Sequence, residues 1–370
     1  MSNATPTRLA VIGGFLGAGK TTAILDIARI MVENGMRIGI VTNDQGSELV
    51  DTRFLSETGL PVLEVAGGCF CCNFKEFSAK LEQLADAERP DLILAEPVGS
   101  CTDLIATIFR PLQHQLTRKF TLSPLSIIAD PGRVRKLMLE PESSPFPNEI
   151  NYLFRKQLEE ADLILLNKVD TLTTEEETSL LRFLGSRLPW VEILPVSAKT
   201  GRGIPAWADK ITGLQAGEGR ALAIDYDTYA AAEAALGWLN SSALLTGTKP
   251  LGINRMIREF LGELRREMHE EKLEIAHLKV YGVSESDWVK ASLTSTDGPI
   301  ELNREMTSRP TQINLIINAR VLVDPGRLRQ LVATNLERIA ANYKATLSDL
   351  KTESFSPARP RPTFRMAANS

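Results

Sequence analysis

The N-terminal part of the chain alternates short apolar runs with longer amphipathic segments. The apolar runs predict strands near 8–13, 37–42, 62–65, 91–95, 124–129, 161–166 and 191–196. The amphipathic segments predict helices near 20–34, 74–87, 101–109, 132–139, 151–159, 174–187 and 203–212. Strands that alternate with helices in this way predict an α/β fold, in which a mostly parallel sheet is covered on both faces.

The pattern changes after a glycine-containing segment, which we interpret as a linker. The elements predicted beyond it are a strand over 233–246, a helix over 253–272, strands over 275–283, 288–295, 300–304 and 312–320, and a helix over 325–343. One helix early and one late among the strands predict a small α+β domain that resembles a split βαβ fold. The predicted organisation is a nucleotide-binding domain over 1–213, a linker over 214–224, the α+β domain over 225–350 and a disordered tail over 351–370.

A phosphate-binding loop lies between the first predicted strand and the first predicted helix. The sequence Gly14-Phe15-Leu16-Gly17-Ala18-Gly19-Lys20-Thr21 matches G-x-x-x-x-G-K-[ST]. Its glycines let the backbone wrap around phosphate oxygens, so that N–H groups and the helix dipole face the anion. Lys20 should reach the β- and γ-phosphates, and Thr21 should hold Mg²⁺. The predicted nucleotide contacts here are Gly14, Gly17, Ala18, Gly19, Lys20, Thr21 and Thr22.

The base of the nucleotide is predicted from two later loops. Asn167-Lys168-Val169-Asp170 follows an apolar run at the place where a strand leaves the sheet. The Asp170 carboxylate can accept both N1–H and the exocyclic N2–H of guanine, whereas adenine offers no such pair of donors. Asn167 and Lys168 would brace the loop and cover the ring. Ser197-Ala198-Lys199 is predicted to form the second base-edge loop, and the two loops together favour GTP over ATP.

Two acids follow predicted strands on the phosphate side of the sheet. Glu96 follows the strand near 91–95, and Asp44 lies in Asn43-Asp44-Gln45-Gly46 after the strand near 37–42. Either Asp44 or Glu96 would hold Mg²⁺ or position the attacking water, and with Lys20 they are the predicted catalytic residues. The N–H of Gly99 is predicted to sense the γ-phosphate.

The thiols predict a metal site. Cys69, Cys71 and Cys72 lie within one short turn, and thiolates are soft ligands that suit Zn²⁺. Three thiolates would leave the fourth coordination position of the ion open, as a metal carrier needs. A disulfide between cysteines so close in sequence would be strained, which argues against a disulfide here. A redox-active thiol pair and cysteines that merely pack remain the alternatives. Cys101 is either a fourth ligand in one nucleotide state or a small buried residue.

The order of these motifs resembles the CobW-type GTPases, a P-loop family in the class of the hydrogenase and urease nickel-insertion GTPases. The motifs that carry the resemblance are GGFLGAGKTT, TNDQG, GGCFCC, LILAEPVG, IIADPGR, LILLNKVD and SAK. The resemblance implies metal trafficking and slow GTP hydrolysis coupled to metal binding. The family's usual N-E-x-G stands here as Asn43-Asp44-Gln45-Gly46.

Composition and charge limit the remaining function classes. The chain has 370 residues, enough for about two domains, and its net charge is only −4 with both signs mixed. Neither a nucleic-acid partner nor a membrane partner is therefore expected. Clustered cysteines, and an N-terminal segment too short and polar for a signal sequence, predict a cytoplasmic location.

The function predicted from the sequence is a GTP-binding, GTP-hydrolysing metallochaperone for Zn²⁺ that uses Mg²⁺. The expected partner is a client metalloprotein, with a nucleotide-dependent homodimer as a further assembly. One alternative is a GTPase that serves cobalt or corrinoid cofactors, with Co²⁺ as its metal and a corrinoid-dependent enzyme as its partner. The other is a GTPase whose thiols sense oxidants.

Overall fold

The computed structural model describes residues 6–43, 59–65, 67–116 and 119–366. Within these ranges the chain forms two compact units, one made of residues up to 229 together with 359–366 and the other of residues 230–358. In the same ranges, no helix is both long enough and apolar enough to cross a lipid bilayer.

The first unit has alternating strands and helices. Its strands are β1 (Thr7–Gly14), β2 (Ile38–Asn43), β3 (Val62–Val65), β4 (Leu92–Glu96), β5 (Phe120–Leu122), β6 (Ser126–Ala129), β7 (Leu163–Leu166) and β8 (Glu192–Pro195). Its helices are α1 (Lys20–Glu33), α2 (Phe74–Glu88), α3 (Arg110–Gln115), α4 (Pro131–Val134), α5 (Asn148–Glu159), α6 (Thr174–Arg187) and α7 (Ile204–Gly213), and α8 (Tyr226–Ala234) spans the boundary in sequence to the second unit. Short π-helical turns cover Ile105–Phe109 and Arg135–Leu139, and 3₁₀ turns cover Pro141–Ser143 and Val169–Thr171.

The strands of the first unit form one parallel sheet in the order β3-β2-β4-β1-β6-β7-β8, with β5 paired to β1. The central strands are buried along their length, and residues 9–12 of β1 are 0% exposed. Parallel strands covered on both faces are apolar without alternation, which is the pattern that the sequence shows. The predicted α/β fold is confirmed.

The parallel direction of the strands brings their carboxyl ends to one edge of the sheet. β1 ends at Gly14, β2 at Asn43 and β4 at Glu96, and Asn167 directly follows β7. In open α/β sheets this is the edge where ligands bind. The fold therefore gathers the predicted nucleotide residues and the segments leading to the cysteines at the same edge.

The second unit is an antiparallel sheet with two helices packed against it. Its strands are β9 (Gly237–Gly247), β10 (Ile275–Val283), β11 (Trp288–Leu293), β12 (Glu301–Arg304), β13 (Gln312–Val321) and β14 (Ala345–Phe355), and its helices are α9 (Ile253–Glu270) and α10 (Pro325–Asn342). The strand order is β12-β11-β10-β13-β9-β14. β13 pairs antiparallel with both β9 and β10, so these two strands run parallel and are joined by α9, as in a split βαβ unit. The predicted α+β domain is confirmed.

Two segments differ from the predictions. The predicted strand over 233–246 begins too early, because the alanine-rich stretch before Leu236 is the end of helix α8 and alanine is the strongest helix former. Residues 351–355, which we expected in a disordered tail, form the end of β14. That strand lies at the sheet edge and pairs with β9, so polar side chains are tolerated and its sequence lacks the apolar pattern of a buried strand.

Candidate functional site

The loop between β1 and α1 folds around the side chain of Lys20. Its backbone has φ values of 132° at Gly14, 77° at Gly17 and 95° at Gly19, a region that favours glycine. A Cβ at Gly14 would lie 2.2 Å from the carbonyl oxygen of Ile128, so a larger residue would force β6 to move. Lys20 Nζ donates to the carbonyl oxygen of Gly14 at 2.9 Å. The ammonium group is thereby held within the loop that the motif predicts to bind phosphate.

Thr21 and Glu96 meet beside this loop. Thr21 Oγ1 donates to Glu96 Oε1 at 3.1 Å, and both side chains are buried. A hydroxyl and a carboxylate held together next to a phosphate loop are oxygen ligands of the type that Mg²⁺ uses. Of the predicted Mg²⁺ ligands, the structure thus brings these two together. Asp44 and Gly46 lie outside the described residues.

The predicted base loop is tied to the phosphate loop. Asn167 Nδ2 donates to the carbonyl oxygen of Ala18 at 2.9 Å, and Asn167 Oδ1 accepts from the N–H of Ala198 at 2.9 Å. Lys168 Nζ donates to the carbonyl oxygen of Gly17 at 2.9 Å. Asn167 therefore joins all three loops that the sequence assigns to the nucleotide.

Asp130, which follows β6, supports the same arrangement. Its carboxylate accepts from the N–H of Arg133 at 3.0 Å at the start of α4, and it lies 2.8 Å from Lys168 Nζ. Burial opposes ionisation of this carboxyl group, but the Lys168 ammonium holds the pKa of Asp130 below its usual value. A helix cap thus also positions one lysine of the base loop.

Asp170 is held in place by the neighbouring predicted base loop. Ser197 Oγ donates to Asp170 Oδ1 at 2.6 Å and accepts from the N–H of Thr200 at 3.2 Å. Asp170 and Lys199 are exposed, whereas Ser197 and Ala198 are buried. The carboxylate is therefore fixed in direction at the surface, where a purine edge can reach it.

Gly99 lies against the phosphate loop. A Cβ at this position would be 2.8 Å from Leu16 Cδ2 and 2.9 Å from Lys20 Nζ. The backbone after β4 therefore approaches the lysine that is predicted to bind the γ-phosphate. This location matches the predicted role of Gly99 as a γ-phosphate sensor, which stays a prediction.

The three cysteines converge in the turn that precedes α2. The Cys69 sulfur lies 2.9 Å from the Cys71 sulfur and 3.1 Å from the Cys72 sulfur, and the last two are 3.9 Å apart. The carbonyl oxygen of Cys69 accepts from the N–H groups of Cys72 and Asn73, which closes the turn. Phe70 points into the core and stacks on Phe77 at 4.0 Å between ring centroids. The turn thus separates an apolar anchor from three grouped thiols.

Asn43 clamps the cysteine turn from the end of β2, a role that the sequence analysis did not predict. Its Nδ2 donates to the carbonyl oxygens of Val65 at 2.8 Å and Gly68 at 2.6 Å, and its Oδ1 accepts from the N–H of Phe70 at 2.9 Å. The feature of the sequence that could have suggested this role is the position of Asn43 directly before Asp44. Asn43 therefore holds the cysteine turn to the end of β2.

Cys101 is the fourth cysteine of the same region. It is 2% exposed, and its thiol lies within hydrogen-bonding reach of the sulfurs of Cys69 and Cys71. Hydrogen bonds with Cys101, then Cys71 and Cys72, hold the pKa of the Cys69 thiol well below its usual range. The hydrogen bond with Cys69 raises the pKa of Cys72 to about 11. Of Cys69, Cys71 and Cys72, the Cys69 thiol therefore loses its proton first, and its neighbours stabilise the thiolate by hydrogen bonds.

Residues 359–366 lie on the cysteine turn, which the prediction of a disordered tail missed. The N–H of Arg361 donates to the Cys72 sulfur at 3.3 Å. Thr363 donates from its N–H to the carbonyl oxygen of Cys71 and from Oγ1 to that of Cys72, each at 2.8 Å. Because these bonds join groups that lie almost 300 residues apart in sequence, no local pattern predicts them.

The donor set fits a zinc ion. Tetrahedral coordination with Zn–S distances of about 2.3 Å places sulfurs about 3.8 Å apart. The Cys71–Cys72 distance of 3.9 Å already matches, and the shorter distances from Cys69 require its sulfur to shift by only about 1 Å. Within the described residues, these three thiols form the group of His, Cys, Asp or Glu side chains close enough together to hold a metal.

Comparison with known protein families agrees with this arrangement. Residues 8–188 match the family described as CobW/HypB/UreG, nucleotide-binding domain. The matched part of the chain contains the phosphate loop, the cysteine turn and the first predicted base loop. The family prediction made from the motif order is confirmed.

Curated relatives of the CobW/HypB/UreG domain extend the comparison. The zinc chaperone YeiR of Escherichia coli (strain K12) is 33% identical over 184 residues, which cover 48% of this chain and 51% of YeiR. The zinc chaperone CobW of a Sinorhizobium species is 33% identical over 181 residues, or 44% of this chain and 51% of that protein. The chain thus spans about half the length of the curated relatives it matches.

A solved structure is similar over a larger part of the chain. The Zn(II)-bound YjiA GTPase from E. coli is 14% identical, with a TM-score of 0.39, over 85% of this chain and 95% of YjiA.

Proposed function

We propose that this chain is a GTP-binding and GTP-hydrolysing chaperone whose cargo is a zinc ion. The observation that carries the proposal is the placement of two sites at one sheet edge. Lys20 lies in the phosphate loop after β1, while Asn43 at the end of β2 clamps the cysteine turn. The match of residues 8–188 to the CobW/HypB/UreG domain and the naming of two relatives as zinc chaperones support it.

The phosphates of GTP would bind in the loop between β1 and α1. Lys20 would neutralise charge on the transferring γ-phosphoryl group, and backbone N–H groups of the loop would hold the other phosphate oxygens. Thr21 and Glu96 would hold Mg²⁺, since their oxygens already meet at 3.1 Å. Asp44 or Glu96 would position the attacking water, as the sequence predicts.

The guanine ring would lie at the loops that follow β7 and β8. Asp170 would accept the two guanine N–H groups, and its orientation by Ser197 at 2.6 Å supports this role. The N–H of Ala198 is already engaged by Asn167, so in this chain Asn167 and Ala198 are assigned to holding the loops together. Lys168 and Lys199 would cover the ring from the solvent side.

Zinc would bind as cargo at Cys69, Cys71 and Cys72. Three thiolates hold the ion firmly, and a further position lets a client metalloprotein add its own ligand during transfer. The soft thiolate donors and the naming of two relatives as zinc chaperones support Zn²⁺ as the metal we propose. The client and a nucleotide-dependent homodimer stay predictions, as does the cytoplasmic location.

Matched variants test this function. We expect one Zn²⁺ per chain and saturable Mg²⁺-dependent GTP binding, with slow release of phosphate. Cys71→Ser should lose zinc affinity and keep GTP binding, whereas Lys20→Ala should lose GTP affinity and keep zinc. A protein that binds neither GTP nor zinc, or that prefers Co²⁺ in direct competition with Zn²⁺, would contradict the proposal. Peroxide-dependent thiol loss with unchanged zinc content would favour an oxidant sensor instead.

A further inference from the structure

The segment from β4 to Cys101 links the nucleotide site to the thiols. It begins at Glu96, passes the phosphate loop at Gly99 and turns back through a hydrogen bond from the N–H of Cys101 to the carbonyl oxygen of Val98 at 2.9 Å. Gln157 on α5 donates to the carbonyl oxygens of Gly99 at 3.1 Å and Cys101 at 2.8 Å. The same buried amide therefore fixes both the γ-phosphate side and the thiol side of this segment.

The Cys101 thiol points at the cysteine turn, which carries Cys69, Cys71 and Cys72. It is within hydrogen-bonding reach of the sulfurs of Cys69 and Cys71, and at 2% exposure it is closed off from solvent. A zinc ion bound by Cys69, Cys71 and Cys72 has one tetrahedral position left. A buried sulfur beside two of those ligands is a soft donor suited to that position.

We propose that Cys101 is the fourth zinc ligand, so that the chain holds its cargo in a closed four-thiolate site that nucleotide binding opens. The inference rests on the proposed function. A γ-phosphate bound to Lys20 would lie beside the Gly99 backbone and shift it, because Gly99 is so close to the lysine that a single carbon added to it would be 2.9 Å from the lysine nitrogen. Displacement of Gly99 moves Cys101, two residues further on. Loss of one thiolate leaves a three-thiolate site that a client can reach.

X-ray absorption at the zinc edge counts the sulfur ligands directly. The zinc-loaded protein with GDP should show four Zn–S contacts, and with a non-hydrolysable GTP analogue it should show three plus one lighter atom. Cys101→Ser should show three in both states, and its zinc affinity with GDP should fall by at least about 10–100-fold, the loss that follows even from removing an outer-shell partner of a metal ligand. Thr102→Ser is the matched control, because serine keeps the hydroxyl that donates to Glu160 at 3.1 Å.

The outcomes separate the two proposals. Three sulfur contacts in the wild type in both nucleotide states, with unchanged affinity in Cys101→Ser, would refute the fourth ligand and leave the zinc chaperone intact. Failure of the wild type to bind zinc would instead refute the proposed function. Thermal melting of Cys101→Ser without metal shows whether the variant folds; if it does not, the sulfur count of the wild type with GDP decides alone.

Residues 359–366 carry a second, independent inference. Besides the contacts of Arg361 and Thr363 with the thiol turn, Phe364 packs edge-on against Phe74 with ring centroids 5.3 Å apart. Arg365 Nε donates to Asp103 Oδ2 at 2.7 Å, and Asp103 is 1% exposed. We propose that residues 359–366 act as a strap that covers the thiol turn and slows zinc release. This second inference also rests on the proposed function.

Zinc transfer to a chromophoric chelator tests the strap. Thr363→Val removes the hydroxyl donor and Arg365→Ala removes the ion pair, and the double variant should release zinc at least about 10-fold faster with a smaller change in equilibrium affinity. Arg361→Ala is the matched control, because Arg361 contacts the thiol turn through its backbone N–H. Equal release rates in the wild type and the double variant would overturn the strap. Absence of zinc binding in the wild type would refute the proposed function.

Discussion

Replacing Glu160 with glutamine should stabilise the protein at neutral and alkaline pH. Glu160 follows α5 and is 1% exposed. Its carboxyl oxygens accept from Thr102 Oγ1 at 3.1 Å and from the N–H of Ile105 at 3.2 Å. Burial, and then the nearby Asp103 carboxylate, raise the pKa of Glu160 from 4.5 to about 8. The folded protein therefore keeps a proton that the unfolded chain loses at lower pH.

The raised pKa fixes the direction and size of the pH dependence. The contribution of Glu160 to stability is complete below pH 4.5 and is lost as pH rises toward about 8, because the unfolded chain ionises first. Each unit of pKa difference corresponds to about 1.4 kcal/mol. The free energy of unfolding should therefore be lower by about 3 kcal/mol at pH 7 and by about 5 kcal/mol above pH 8, relative to acidic pH.

Glutamine mimics the protonated carboxyl group, with an oxygen for Ile105 and an amide donor for Thr102. Glu160→Gln should lie within about 1 kcal/mol of the wild type near pH 5 and exceed it by about 4 kcal/mol at pH 8, or roughly 10 °C in Tm. Urea and thermal unfolding of the metal-free protein across this range measure the effect. Glu159→Gln is the control, since it removes an adjacent carboxylate that pairs with Lys156 at 2.7 Å. An unchanged pH slope in Glu160→Gln would refute the reasoning.

Three further predictions concern the nucleotide and thiol sites. Asn43→Ala removes the hydrogen bonds that hold the cysteine turn, and the loss of buried hydrogen bonds costs about 1–3 kcal/mol. Zinc binding should therefore weaken by about 10-fold in a chelator competition. An unchanged zinc affinity would show that Asn43 does not support the metal site. Gly99→Ala places a carbon 2.9 Å from Lys20 Nζ and should weaken binding of a GTP analogue more than that of GDP, measured by fluorescence titration. Asp170→Ala should lower GTP affinity by at least about 10-fold while leaving the low ATP affinity unchanged, and an equal loss for both nucleotides would argue against guanine recognition.

The predicted features that the structure contains rest on patterns that are local in sequence. The turn between β1 and α1 is located by the spacing of its glycines and Lys20 alone, because the positive φ values and close approaches belong to one short segment; its nucleotide contacts stay predictions. The parallel sheet follows from apolar runs that are buried on both faces. The grouping of Cys69, Cys71 and Cys72 likewise needs only one turn.

The features that the sequence analysis missed depend on distant partners. Asn43 contacts the cysteine turn across 25 residues, and Arg361 contacts Cys72 across 289. The end of β14 is a strand because β9 supplies its hydrogen bonds, whereas its own side chains are mostly polar. Such contacts produce no periodic pattern of apolar residues in the sequence. Many polar residues are tolerated at the exposed edge of a sheet, and a backbone N–H can donate from almost any residue type.

Reciprocal coupling between zinc and GTP is the central claim, and one thermodynamic cycle tests it. Zinc affinity is measured by competition with GDP and with a non-hydrolysable GTP analogue, and the affinity for each nucleotide is measured with and without zinc. We expect the GTP analogue to weaken zinc binding relative to GDP, and zinc to weaken GTP-analogue binding relative to GDP by the same factor. Zinc affinities that are identical with both nucleotides would contradict the account and leave a GTPase with an uncoupled zinc site.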